Sequence, residues 1–193
     1  MFIKPHKNML NKFVHTLVRI VTRSRSISLT KGVTTSLLVL LSVISLNSSA
    51  NELVNTQASD FTLKSMAGEN LNLVEQRGNI TVINFWASWC GPCRKEMPVL
   101  QNLHNKYTDL GVQVWGINVE QDNQAGRDFI KNINVDFPIL FDDKNILSEL
   151  YQVSAMPTTV VVDRSGKIRF VFRGYKDGYE KKYAKAIKKL IRE

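Results

Sequence analysis

The chain has 193 residues, 44% of them hydrophobic and 22% charged, with a formal net charge of +9. That length fits one globular domain with additions, and the composition excludes disorder as the starting assumption. The charge does not lead to nucleic acid. Seven basic residues (Lys4, Lys7, Lys12, Arg19, Arg23, Arg25 and Lys31) lie in residues 1–50, which contain no acid, and taking these seven from +9 leaves only +2 for residues 51–193. No nucleic-acid partner is expected.

Residues 1–50 read as an export address. The basic stretch precedes an apolar run from Val33 to Leu46, then Asn47-Ser48-Ser49-Ala50, with small residues at Ser48 and Ala50 where a signal peptidase requires them. The run of 14 residues is short of the roughly 20 that a membrane span needs. The absence of cysteine near its end excludes a lipoprotein anchor, and Met9 offers a later start for a leader that is otherwise long. A buried core helix is disfavoured, because uncompensated positive charge immediately upstream fits membrane orientation better. Cleavage after Ala50 is the expectation, and retention as a signal anchor the alternative. Either fate puts residues 51–193 in a periplasmic or other extracytoplasmic space, with membrane contact only through the N-terminal segment.

Asp60-Phe61-Thr62-Leu63 and Leu71-Asn72-Leu73 flank the turn-like Ala67-Gly68-Glu69-Asn70 and predict an N-terminal β-hairpin. Ile80–Trp86 (ITVINFW) is β-branched and aromatic, the composition of a strand buried on both faces. A helical pattern follows, with Met97, Leu100, Leu103 and Tyr107 on one face and Pro98 expected to kink it. Val112–Val119 is a second strand, Gln124–Ile133 a helix with Phe129, Ile130 and Ile133 inward, Phe137–Phe141 a short apolar segment and Asn145–Tyr151 a short helix. A strand from Thr159 to Val162, a turn at Asp163–Gly166 and the alternating Ile168–Arg173 predict a second hairpin. Tyr179–Arg192 closes the chain as an amphipathic helix with an apolar stripe of Tyr183, Ile187, Leu190 and Ile191 and a solvated face of lysines. The fold class is α/β, a mixed central sheet flanked by helices on both faces, with an N-terminal β-hairpin extension. Such sheets carry their sites beyond the carboxyl ends of parallel strands.

Cys90 falls at that place, and Cys90 and Cys93 are the chain's two cysteines. Two sulfurs three residues apart can hold a metal, staple the fold or carry electrons. A structural zinc wants four ligands; His6 and His15 lie in the leader and His104 about three helical turns along from Cys93, so no metal is expected. As a staple the pair closes a loop too short to restrict the unfolded chain much. As a redox couple it works, since it opens and closes without rebuilding the fold. At the start of a helix, unpaired N–H groups and the helix dipole favour a thiolate at Cys90, the more exposed sulfur and the nucleophile. Cys93, one turn in and more buried, resolves the mixed disulfide. Gly91 admits a partner backbone, Pro92 suits the first helical turn, and Trp86 and Trp89 can form a flat apolar rim, with core packing the favoured alternative for Trp86 and an equal one for Trp89.

Phe85-Trp86-Ala87-Ser88-Trp89-Cys90-Gly91-Pro92-Cys93-Arg94 resembles the thioredoxin active site. Asp60–Leu63, Arg94-Lys95-Glu96-Met97-Pro98, Phe137-Pro138-Ile139-Leu140 and Pro157-Thr158-Thr159 before Asp163–Ile168 are similar to the exported thioredoxin-like reductases of the TlpA/ResA type, over about residues 58–192. The resemblance implies a thioredoxin-like fold for residues 51–193. It implies that Pro157 is a cis-proline facing the sulfurs, with Met156 offering its backbone to an extended substrate. Cytoplasmic thioredoxins carry a buried Asp where this chain has Asn84, which cannot take a proton. Glu96, three residues after Cys93, resembles the acid–base that replaces it in the TlpA/ResA branch.

The function implied is an exported thiol–disulfide oxidoreductase that reduces disulfides of exported proteins, apocytochromes awaiting haem among them. Its only redox group is the Cys90–Cys93 dithiol, and it needs a membrane electron donor of the thioredoxin-reducing type. The alternative is an exported oxidase or isomerase using the same cysteines, distinguishable by redox potential. A copper chaperone finds only Met97 and Met156 as added ligands, and a peroxidase of the peroxiredoxin kind lacks its Thr three residues before Cys90, where Ala87 stands.

Overall fold

In the computed structural model, which describes residues 53–193, two strands, β1 (Thr62–Lys64) and β2 (Asn70–Asn72), pair antiparallel as a hairpin. Five more, β3 (Ile80–Trp86), β4 (Val112–Asn118), β5 (Ile139–Phe141), β6 (Thr158–Val162) and β7 (Ile168–Arg173), form one sheet in the order β5-β4-β3-β6-β7. The helices are α1 (Gly91–Tyr107), α2 (Gln124–Lys131), α3 (Ile146–Leu150) and α4 (Tyr179–Ile191). The expected leader and its boundary after Ala50 lie outside the described residues. None of the helices among the described residues is long and apolar enough to cross a membrane.

β3 occupies the centre because all seven of its residues are buried, which only a strand covered on both faces can satisfy. It runs parallel to β4, as β4 does to β5, and antiparallel to β6, which pairs antiparallel with β7. The mixed sheet expected from the sequence is therefore present. The segment Phe137–Phe141, read as merely apolar, supplies the edge strand β5. At the β6–β7 turn Asp163 Oδ1 accepts from the backbone N–H groups of Ser165 (2.9 Å) and Lys167 (3.0 Å), and Gly166 takes the φ of +81° that a side chain would resist.

The period of two along β3 divides the core. Ile80, Val82 and Trp86 face one layer with α1, α2 and α4, among Met97, Leu100, Leu103, Ile130, Tyr183 and Ile187. Ile83 and Phe85 face the other with Trp115, Ile117, Leu147 and Tyr151. On that side Phe61 meets Trp115 and Tyr151 edge-on, and the Tyr151 hydroxyl donates to Ser59 O at 2.8 Å, tying the N-terminal extension to α3. Asp142 caps α3 by accepting from the N–H groups of Leu147 (3.1 Å) and Ser148 (2.7 Å). Helix α1 runs on through Pro98, which sits on its exposed side. Helix α2 ends at Lys131, two residues before the expected Ile133.

Burial separates Leu100 from Leu110. Leu100 is wholly enclosed while Leu110 is half exposed. Leu100→Ala is expected to lower the unfolding free energy by about 2–5 kcal/mol in urea denaturation, and Leu110→Ala by less than about 0.5 kcal/mol.

Candidate active site

The active-site loop leaves the carboxyl end of β3 at Trp86 and turns directly into α1. Cys90 is the N-cap residue of α1, in an extended conformation, with Pro92 in the first turn. Cys90 and Cys93 form a disulfide with Cα atoms 5.2 Å apart. The Cys93 N–H points at Cys90 Sγ from 3.2 Å, so an amide of the helix's first turn is aimed at that sulfur. Cys90 is 6% exposed and Cys93 1%. The expected order of exposure holds, although Cys90 is itself nearly enclosed.

Trp86 is buried, as its favoured reading had it, and Trp89 is 70% exposed, which resolves the choice the sequence left open in favour of the rim. Gly91 and Pro92 are exposed beside Trp89. The Met156–Pro157 peptide bond is cis. Pro157 immediately precedes β6, whose Thr158 pairs with Phe85, so it lies at the carboxyl end of β3, the end that bears Cys90. Pro157 is buried, and Met156 is half-buried against the cluster that holds both cysteines.

Glu96 lies one turn beyond Cys93 on α1 with no exposed surface. Its carboxylate collects donors from three elements. Asn84 Nδ2 of β3 reaches Oε2 at 2.9 Å, Thr159 Oγ1 of β6 reaches Oε1 at 3.0 Å, and the Tyr183 hydroxyl of α4 also donates to Oε1. Asn84 Nδ2 also donates to Thr159 Oγ1 at 2.9 Å, as befits direct cross-strand partners. Burial pushes the Glu96 carboxyl above its ordinary value of 4.5, against the opposing pull of Tyr183, Thr159 and Asn84. Burial and the neighbouring Glu96 charge push the Tyr183 hydroxyl up, so it stays protonated and remains a donor.

A second carboxylate holds the loop from outside. Glu120, just past the end of β4, accepts from the Ser88 N–H at 2.9 Å and from Ser88 Oγ at 2.7 Å, and Asn118 Nδ2 fixes it at 2.7 Å. Sequence reasoning missed Glu120, Thr159 and Tyr183. The signal for Glu120 was its place beyond a parallel strand; Tyr183 read as one member of an apolar stripe, and its hydroxyl carried no periodic signal.

Comparison with known proteins fits this geometry. The model of the AhpC/TSA family matches residues 54–171, more than half of the chain. The chain belongs to the AhpC/TSA family. Thioredoxin-like protein YneN of Bacillus subtilis is 38% identical over 120 residues, 61% of this chain and 70% of that protein. Thiol-disulfide oxidoreductase ResA of Geobacillus thermodenitrificans is 32% identical over 121 residues, 63% of this chain and 70% of that one. A crystal structure assigned as thiol:disulfide interchange protein DsbE of Chlorobium tepidum superposes with a TM-score of 0.69 at 30% identity, covering 72% of this chain and 97% of that chain. This AhpC/TSA member thus has the thioredoxin-like fold, and its resemblance to thiol–disulfide oxidoreductases of the TlpA/ResA type holds.

The raised Glu96 carboxyl has a thermodynamic consequence. The native state keeps this proton to higher pH than the unfolded chain, so between 4.5 and the native value the native state binds more protons. Stability from this group is complete below 4.5 and falls as pH rises through the native value. Urea midpoints followed across this window should decline less steeply in Glu96→Gln than in the parent. Tyr183→Phe, which removes a donor to the anion, should extend the decline to higher pH.

Proposed function

We propose that the protein works outside the cytoplasm as a reductant of disulfides in other exported proteins, apocytochromes awaiting haem among them. The observation that carries this reading is the Cys90–Cys93 disulfide at the start of α1 with the buried Glu96 carboxyl one turn beyond. The charge-rich, apolar-ended leader supports export, with either cleavage after Ala50 or retention as an inner-membrane tether.

In the reduced protein the Cys90 thiolate attacks one sulfur of a substrate disulfide, forming a mixed disulfide and expelling the other sulfur as a thiolate. Glu96 takes the proton of Cys93. The Cys93 thiolate then attacks Cys90 Sγ, closing the Cys90–Cys93 disulfide and releasing the second substrate sulfur. Two electrons pass to the substrate. A membrane dithiol donor of the thioredoxin-reducing type returns them, because an oxidising compartment would otherwise leave the pair closed. The exposed Trp89, Gly91 and Pro92 on one side and Met156-Pro157 on the other frame the sulfurs and receive an extended substrate segment. Glu120 acts through the loop, holding Ser88 so that Trp89 and Cys90 keep their places.

Expression of the full chain as Cys93→Ala should trap substrates on Cys90 as mixed disulfides that dithiothreitol releases. Absence of such adducts, with the variant folded, would sink the proposal. Glu96→Gln should slow resolution of a preformed mixed disulfide by about a hundredfold and shift the Cys93 thiol titration; an unmoved titration removes Glu96 from the mechanism.

A further inference from the structure

The Glu96 site contains one atom without a partner. Asn84 is fully enclosed, its Nδ2 is engaged twice, and its Oδ1 is buried with no hydrogen-bond donor. A buried carbonyl oxygen of this kind carries a desolvation penalty of about 1–3 kcal/mol. A carboxylate accepts only, whereas a carboxylic acid must donate its proton to something. In the observed arrangement all three groups facing Glu96 (Asn84 Nδ2, Thr159 Oγ1 and the Tyr183 hydroxyl) are donors, which suits the anion and leaves the acid without an acceptor.

We propose that Asn84 is a positioning residue that follows the charge of Glu96 by turning its amide, presenting Nδ2 to the carboxylate and Oδ1 to the carboxylic acid. The exchange is nearly symmetric. Turned through half a revolution, Oδ1 occupies the place of Nδ2, where it accepts from the Glu96 Oε2 hydroxyl and from Thr159 Oγ1, whose proton swings over. Tyr183 still donates to Oε1. Because Oδ1 has no partner, nothing on the far side of the amide holds it in one orientation, and each orientation leaves one pole unpaired. Few other groups near Glu96 titrate: Tyr183 from α4 and Tyr175 from the loop ahead of α4, joined by Cys93 on α1 only once the disulfide is opened, while β3 and β6 present only the neutral Asn84 and Thr159. The competing site for the proton is Oε1, where Tyr183 or Thr159 would have to turn from donor to acceptor.

This inference rests on the acid–base reading of Glu96, and its test separates the two. Full-length protein carrying 15N-labelled Asn and 13C-labelled Glu is titrated by NMR in the reduced state, with the Asn84 amide assigned by its loss in Asn84→Ala. As the Glu96 carboxyl protonates, both Nδ2 protons should lose their hydrogen-bonded downfield shifts and their NOEs to Thr159, at the same midpoint as the carboxyl carbon. In Asn84→Ala the carboxyl midpoint should move little, since anion and acid each lose one hydrogen bond to the amide, whereas a rise of about one pH unit would mean the amide serves only the anion and would overturn the proposal. An amide whose NOEs to Thr159 persist on both sides of the titration overturns the proposal, and so does a carboxyl that holds one state throughout. If the amide turns while the Cys93 thiol ignores Glu96, the inference stands and the acid–base reading falls.

Discussion

A carboxyl group sealed in an apolar layer is the constraint on which the rest of this structure depends. An isolated ionised carboxylate in such a place is prohibitively unfavourable, and it is tolerated only when its lone pairs are taken by donors. Here the donors come from β3, β6 and α4, segments separated from Glu96 by 12, 63 and 87 residues. The site exists only after the central sheet has its register and the last helix has docked. Slipping β6 by one residue against β3 would turn Thr159 to the opposite face and replace it with a valine or the buried Thr158. The polar network and the sheet register therefore specify each other.

The sulfurs are positioned by different means. β3 ends at Trp86, and the four residues before α1 are held at both ends: by the helix cap at Cys90, and by the Glu120 clamp on Ser88. Glu120 follows the neighbouring parallel strand, so the loop is fastened to the adjacent carboxyl end of the sheet rather than to its own helix. That arrangement leaves Trp89 free to stand out in solvent while the backbone beneath it is fixed. An exposed tryptophan on a rigid loop gives a contact surface with little conformational entropy to lose on binding.

What was legible in the sequence had a periodic or local chemical signature. Six apolar or β-branched residues, interrupted only by Asn84, announced β3, the alternation in Ile168–Arg173 announced β7, and Trp-Cys-Gly-Pro-Cys announced the redox pair. Pro157 could be named as the cis-proline only through resemblance, since an X-Pro pair says nothing of its isomer. Phe137–Phe141 went unassigned because only three residues pair, and three residues carry no readable period. The donors to Glu96 were invisible for a further reason. Tyr183 satisfies the apolar stripe of α4 with its ring and the carboxylate with its hydroxyl, and only the first of these repeats along the helix. Asn84 was noticed for what it cannot do, which is titrate; its amide shows what it does instead.

The separation of the two devices bears on how the domain can change redox state without changing fold. A disulfide closing a two-residue loop adds little to stability through the unfolded chain, and both sulfurs are already packed against Trp86, Met97 and Leu100 in one apolar cluster. Opening the bond removes no strand pairing and no layer contact. What it alters is the demand for protons next to Cys93, and the group one turn away is a carboxyl whose burial and whose three donors act on its proton in opposite directions. If Glu96 manages the Cys93 proton as proposed, the chemical consequence of reduction falls first on Glu96 and its donors.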